Sequence, residues 1–96
     1  MSKLILVLID ALRDDTARQY MGYLEHLVEY ERATRWSCQG ELPTMSRPMY
    51  ETIHTGVPAH VHGITSNYVV RRSTMPNVFE QARQHGKVTA ASAYSW

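Results

Sequence analysis

Leu4-Ile5-Leu6-Val7-Leu8-Ile9-Asp10 places an unbroken apolar run near the N-terminus, with a carboxylate directly after it. A short apolar run is typical of a β-strand that helices cover on both faces, as in the centre of a parallel sheet. The run is far shorter than the roughly 20 residues that a membrane-spanning helix needs. We therefore predict a strand over residues 3–9. Ligands gather outside the carboxyl ends of parallel strands, so Asp10 is predicted to lie at the functional rim.

Patterns further along the chain alternate between helix and strand. We predict first a helix after Asp14 and Asp15 that Gly22 interrupts, and then a strand over residues 32–38. A helix over about residues 47–55 and a loop from Val57 to Met75 are predicted next. The last two predicted elements are a helix from Pro76 to Gly86 and a strand from Lys87 to Tyr94. Pro48 and Gly56 bound the middle helix, because proline favours a first helical turn and glycine the position after a last one. Asn77 and Glu80 have the spacing of a helix-capping pair. This alternation predicts an α/β layered sandwich with a mostly parallel sheet and right-handed crossovers.

The bulk properties suit one small folded domain. The chain has 96 residues, 44% of them apolar, and a formal net charge of +1. Without a strong net charge or a block of like charges, we expect neither nucleic acid nor a membrane as a partner. Cys38 is the single cysteine and cannot form an intramolecular disulfide, which favours a cytoplasmic location. The last predicted strand would leave a sheet edge uncovered, so we expect the domain to be truncated.

Ser46 is the candidate nucleophile. A hydroxyl at a helix N-terminus meets backbone N–H groups and a partial positive charge, and both suit a phosphoryl group. The same position suits an ordinary helix cap, and Asp10 could equally cap the turn that follows it. No Ser-His-Asp order and no Gly-x-Ser-x-Gly elbow supplies a general base, so a metal ion is the remaining activator. An ion bound by Asp10 and Ser46 would stabilise the alkoxide, and a second ion roughly 4 Å away would hold the phosphoryl and leaving oxygens.

Three further side chains are candidates in the loop after the Ser46 helix. His60 and His62 would present both rings to one side of an extended segment, where they could bind a metal ion. The alternative, which we favour, is a structural His62 at the turn before Gly63. Asn67 could donate its side-chain amide to a phosphate oxygen, or it could simply form a turn.

Four segments in this order resemble the alkaline phosphatase superfamily and, within it, the type I phosphodiesterase/nucleotide pyrophosphatase family. They are Leu6-Val7-Leu8-Ile9-Asp10-Ala11-Leu12-Arg13, Pro43-Thr44-Met45-Ser46-Arg47-Pro48, Thr52-Ile53-His54-Thr55-Gly56 and His62-Gly63-Ile64-Thr65-Ser66-Asn67. The resemblance implies an alkaline-phosphatase-like α/β fold, of which residues 1–96 would be the N-terminal portion. It also implies that Asp10 is a metal ligand, that Ser46 is the metal-bound nucleophile that becomes transiently phosphorylated, and that Asn67 donates to the phosphoryl oxygen of a small phosphate ester.

Two divalent metal ions, zinc by preference, are the cofactors that this resemblance implies. The family's other ligands are an Asp, an Asp-His pair and further histidines, and nothing after Asn67 matches them. We therefore expect those ligands to lie outside this chain and the isolated chain to turn over negligibly.

Two related enzyme classes fit the sequence less well, and several other activities remain as alternatives. Tyr50 stands where a sulfatase has arginine, and Asp10-Ala11-Leu12 lacks the second aspartate of haloacid dehalogenases. A phosphomonoesterase, a phosphonate hydrolase or a phosphomutase of the same superfamily remains an alternative. So does a non-catalytic α/β module that binds an anion or a partner at the Ser46 helix terminus.

Overall fold

The computed structural model describes residues 2–93, which divide into two compact units with the chain boundary between Cys38 and Gln39. The described residues contain five α-helices. These are α1 (Asp14–Tyr20), α2 (Gly22–Glu29), α3 (Ser46–Thr55), α4 (Ala59–His62) and α5 (Val78–Gln84). The first unit contains α1 and α2, and the second contains the other three.

The predicted α/β sandwich is wrong for this chain, because residues 2–93 contain no β-strand. The segments 3–9, 32–38 and 87–93 make no strand pairing, and Tyr94, the last residue of the third predicted strand, lies outside the described residues. Leu4 and Ile5 are 78% and 87% exposed. An apolar run records a preference for burial, but a strand exists only when a neighbouring strand takes up its backbone hydrogen bonds. The sequence has the apolar pattern of a strand, but residues 2–93 have no strand pairing.

The first unit confirms the predicted interruption at Gly22. The helix α1 ends at Tyr20, and α2 begins at Gly22. Asp14 and Asp15 occupy the first turn of α1, whereas the capping position itself belongs to Arg13 and has no side-chain cap. Two acids in a first turn stabilise a helix by meeting the positive end of its dipole.

A salt bridge joins α2 to the segment that follows it. The Arg35 guanidinium donates to the Glu25 carboxylate. The hydrogen bond to Glu25, followed by the charge of that carboxylate, raises the pKa of Arg35. Arg35 therefore stays positively charged and holds its segment against α2.

The second unit confirms the predicted helix over about residues 47–55. The helix α3 begins one residue earlier, at Ser46, and ends at Thr55; the next residue, Gly56, has a left-handed φ of 74°. Pro48 is fully buried in the first turn. The helix packs against α4 and α5, and the His54 ring lies 5.6 Å from the Phe79 ring. The other buried residues of the second unit are Ala59, His62 and Ile64.

The predicted loop from Val57 to Met75 is wrong in one part, because it contains the single-turn helix α4. Pro58 precedes this turn and Gly63, with a φ of 77°, ends it. That order is the same proline-early, glycine-late signal that bounds α3.

The predicted helix after Pro76 is confirmed as α5. The Asn77 side chain accepts hydrogen bonds from the backbone N–H groups of Phe79 and Glu80. The helix α5 ends at Gln84, and Gly86, which has a φ of 71°, follows it. The backbone N–H of Lys87 donates to the Ala82 carbonyl. Such a left-handed glycine closes a helix by satisfying its last carbonyl groups.

Candidate functional site at the start of α3

Ser46 is the first residue of α3, and its side chain is half-buried. The helix-capping position falls on Met45, which is extended with φ −120° and ψ 155° and makes no side-chain cap. The Ser46 hydroxyl therefore lies in the first turn rather than at the cap. The positive end of the helix dipole suits an anion at this end of α3, while the N–H groups of Arg47 and Met49 donate to Asn67 and to the Met45 carbonyl, and Pro48 has none.

Asn67 lies beside the same helix end. Its side-chain Oδ1 accepts a 3.0 Å hydrogen bond from the backbone N–H of Arg47, the residue directly after Ser46. Its backbone carbonyl accepts a 2.7 Å bond from the Arg47 guanidinium. Because Oδ1 is the acceptor, the Nδ2 group is the donor end of this amide. The structure thus brings two of the three predicted site residues, Ser46 and Asn67, to one helix terminus.

Asp10 lies in a strained turn of the first unit. Its Oδ1 accepts a 2.8 Å hydrogen bond from the backbone N–H of Ala11, and Ala11 has a φ of 59°. A left-handed conformation costs a residue with a side chain roughly 1–2 kcal/mol, and such strain is concentrated at functional sites. Since Asp10 belongs to the first unit and Ser46 to the second, the metal ion that they would share stays a prediction.

His60 and His62 do not form a pair of metal ligands. Both lie on α4, where residues two positions apart point to different sides of a helix. His62 is 3% exposed; its Nδ1 accepts a 3.0 Å bond from the Ile64 N–H, and its Nε2 lies 3.0 Å from the Thr52 hydroxyl. Because Nδ1 is an acceptor, Nε2 carries the proton and donates to Thr52. The preferred interpretation of His62 as a structural histidine is confirmed.

Across residues 2–93, no three His, Cys, Asp or Glu side chains come together as a metal-binding group. Zinc sites use at least three protein ligands, so Asp10 and Ser46 would have to be completed by other donors. In the same part of the chain, no helix has the length and apolar content to span a bilayer.

A cavity of about 340 Å³ lies along α3 in the second unit. Its walls are formed by Arg47, Tyr50, Glu51, Ile64, Val69, Val70 and Arg71. The three residues from α3 have the spacing i, i+3, i+4 and therefore share one face of the helix. Sequence reasoning missed this cavity and the role of Arg71 in it. The spacing on α3 was a visible signal, but nothing in the sequence showed which segment faces it.

Comparison with known proteins gives one family. The sequence model of the family described as Type I phosphodiesterase / nucleotide pyrophosphatase matches residues 4–94. No curated protein and no solved structure gives a significant match to the chain. The matched range includes Asp10, Ser46 and Asn67.

Proposed function

Because the chain belongs to the type I phosphodiesterase/nucleotide pyrophosphatase family, a family of phosphate-ester hydrolases, we propose that Ser46 is the nucleophile in the cleavage of a small phosphodiester or nucleotide pyrophosphate. The observation that carries this proposal is the bond between Asn67 and Arg47, which holds an amide beside the first turn of α3. A nucleophile, a side-chain donor and the positive end of the α3 dipole would then act on one phosphoryl group.

In the proposed reaction, the Ser46 Oγ attacks phosphorus opposite the leaving oxygen. The hydroxyl proton of Ser46 passes to solvent as the Oγ–P bond forms, the bond from phosphorus to the leaving oxygen breaks, and the leaving group departs with the electron pair and takes up a proton from solvent. Water then attacks the phosphoserine ester, which releases the phosphate product and restores the hydroxyl. The Asn67 Nδ2 group would donate to the phosphoryl oxygens, where negative charge accumulates, and the positive end of the α3 dipole would lie beside them.

The proposal includes two divalent ions, with zinc as the preferred metal and with Asp10 and Ser46 as the ligands that this chain contributes. Bound there, such ions supply charge that favours the serine alkoxide over the alcohol. The remaining ligands would come from outside this chain. We therefore propose that the chain alone reacts with its substrate without sustained turnover.

Trapping of the covalent intermediate tests this proposal. The chain is incubated with bis(4-nitrophenyl) phosphate and zinc, quenched in acid and digested, and its peptides are examined by mass spectrometry. We expect a phosphoester on Ser46 that is absent in Ser46→Ala and retained in Ser73→Ala. Sustained release of nitrophenolate by Ser46→Ala would show that the nucleophile is wrong. Phosphate binding without any adduct would favour the non-catalytic anion-binding alternative.

A further inference from the structure

His62 is a buried polar residue that the proposed reaction does not use. It is 3% exposed, and no other polar or charged residue among residues 2–93 is buried to that degree. Its Nδ1 accepts from the Ile64 N–H and its Nε2 donates to the Thr52 hydroxyl, each at 3.0 Å. A hydrocarbon side chain could fill the same space, but a buried polar network in which every group has a partner also specifies one arrangement. His62 therefore fixes the end of α4 against α3.

The segment 62–67 runs along α3 from Thr52 back to the first turn of the helix. His62 begins the segment at Thr52, and Asn67 ends it at Arg47. Each of these intervals is five residues long. Five residues of an α-helix rise about 7.5 Å, whereas five residues of extended chain reach about 17 Å. The covalent connection alone therefore leaves many positions along α3 open to Asn67. The bonds of His62 reduce that number, because they fix where the segment leaves α4 and in which direction.

Two further features hold the middle of the segment. The Gly63 carbonyl accepts a 3.1 Å bond from the Arg71 Nη2, and Ile64 is 5% exposed. Asn67 lies in the turn that begins at Ser66. The segment is therefore bound at both ends and packed in between, as expected of a support that carries a functional side chain.

We infer that His62 is the positioning residue for Asn67, and that its bond to Thr52 sets where the Asn67 amide lies relative to the first turn of α3. The importance of that position for the chemistry rests on the function proposed above, in which Asn67 donates to the phosphoryl group that reacts at Ser46. The placement itself rests on the hydrogen bonds of the second unit. His62 acts through Asn67 and does not touch the phosphoryl group.

Thr52→Val and Thr52→Ser test this inference at the partner of His62. Valine has the shape of threonine without the hydroxyl, so Thr52→Val loses the bond to Nε2 and keeps the bond from Ile64 to Nδ1. We expect its affinity for inorganic phosphate, measured by calorimetry with a chelator present, to fall about threefold to tenfold, because a hydrogen bond to a charged group is weakened and not abolished. Thr52→Ser keeps a hydroxyl and should stay within about twofold of the parent chain.

A double substitution shows whether His62 acts through Asn67. Asn67→Ala removes the proposed phosphate donor, so the addition of Thr52→Val to that chain should change the phosphate affinity by less than about twofold. A further threefold to tenfold loss, on the order of the loss in the parent chain, would contradict the inference, because the bond of His62 would then affect binding by another route.

Amide hydrogen exchange at Arg47, followed by NMR, tests the placement without phosphate. The Arg47 N–H donates to the Asn67 Oδ1, so Thr52→Val should speed its exchange about tenfold relative to that of Gln81 in α5. Asn77→Ala is the matched control, because it removes the cap of α5 and destabilises the second unit without touching the loop after α4. It should speed exchange at Gln81 relative to Arg47.

The possible outcomes separate this inference from the proposed function. Unchanged exchange at Arg47 in Thr52→Val, or equal acceleration there in the control variant, would overturn the inference and leave His62 as a core residue only. Faster exchange at Arg47 with unchanged phosphate affinity would support the placement and refute Asn67 as a phosphate donor. A missing adduct on Ser46 together with faster exchange at Arg47 would refute the nucleophile and support the positioning role of His62.

Discussion

Asn67 and Arg47, which lie 20 positions apart, are joined by two hydrogen bonds, one to the side chain of the asparagine and one to its backbone carbonyl. The Asn67 side-chain oxygen accepts the Arg47 backbone N–H at 3.0 Å, and the Asn67 backbone carbonyl accepts the Arg47 guanidinium at 2.7 Å. The first bond satisfies an N–H group that a helix cannot satisfy internally. The loop after α4 is therefore tied to the turn of α3 that begins with Ser46.

Substitution of Asn67 should separate stability from phosphate binding. In Asn67→Asp the side chain still accepts the Arg47 N–H, and a carboxylate at a helix N-terminus is favourable. The donor is lost, however, and a negative charge faces the incoming anion. We expect unchanged unfolding in urea and strongly weakened binding of inorganic phosphate in calorimetry.

Asn67→Ala is the matched comparison, since it removes donor and acceptor together. It should lower the free energy of unfolding by about 0.5–1.5 kcal/mol, the usual contribution of one hydrogen bond. If Asn67→Asp binds phosphate as well as the parent chain, Asn67 is not a phosphate donor.

His62 should contribute far more to stability than His60, although the two are separated by one residue. In His62→Phe the buried Ile64 N–H loses its acceptor and the Thr52 hydroxyl loses its donor. An orphaned buried N–H group costs about 1–3 kcal/mol. His60 is exposed, and His60→Phe should stay within about 0.5 kcal/mol of the parent chain. Urea unfolding followed by circular dichroism measures both, and equal effects would contradict the assigned role of His62.

Gly63 should not tolerate a side chain. Its φ of 77° is left-handed, and a Cβ built there would collide with the Arg71 guanidinium. We expect Gly63→Ala to destabilise the second unit by at least about 1–2 kcal/mol, the cost of the backbone conformation alone. Gly22 has no atom within 4 Å of such a Cβ and begins α2, so Gly22→Ala should be neutral or stabilising by up to about 1 kcal/mol.

A double substitution separates the two causes at Gly63. Replacing Arg71 by alanine in the Gly63→Ala chain removes the collision and leaves the backbone strain. Thermal unfolding should show partial recovery relative to Gly63→Ala. The absence of any recovery would mean that the strain accounts for the whole effect.

The elements that the sequence predicted correctly are those with a local cause. Pro48 and Gly56 mark the two ends of α3, and Asn77 marks the start of α5, because each acts within its own helical turn. The strands failed because pairing is a property of two segments, and the run Leu4–Ile9 says nothing about its neighbour. The same distinction applies at the site. Ser46 could be placed at a helix start from its neighbours, whereas the bond from Arg47 to Asn67 and the approach of Arg71 to Gly63 depend on tertiary structure.

Replacement of alanine by glycine should change the free energy of unfolding in opposite directions at Ala11 and at Ala17, two positions in the first unit. At Ala11 the φ of 59° is strained for alanine and free for glycine, so Ala11→Gly should raise the free energy of unfolding by about 0.5–1 kcal/mol. At Ala17, inside α1, the same replacement should lower it by about 0.8–1.0 kcal/mol, because glycine is a poor helix former. Urea unfolding of the two variants, followed by circular dichroism, gives both numbers. Destabilisation by both would mean that the turn at Asp10 is not strained, and it would remove the physical reason for regarding that turn as functional.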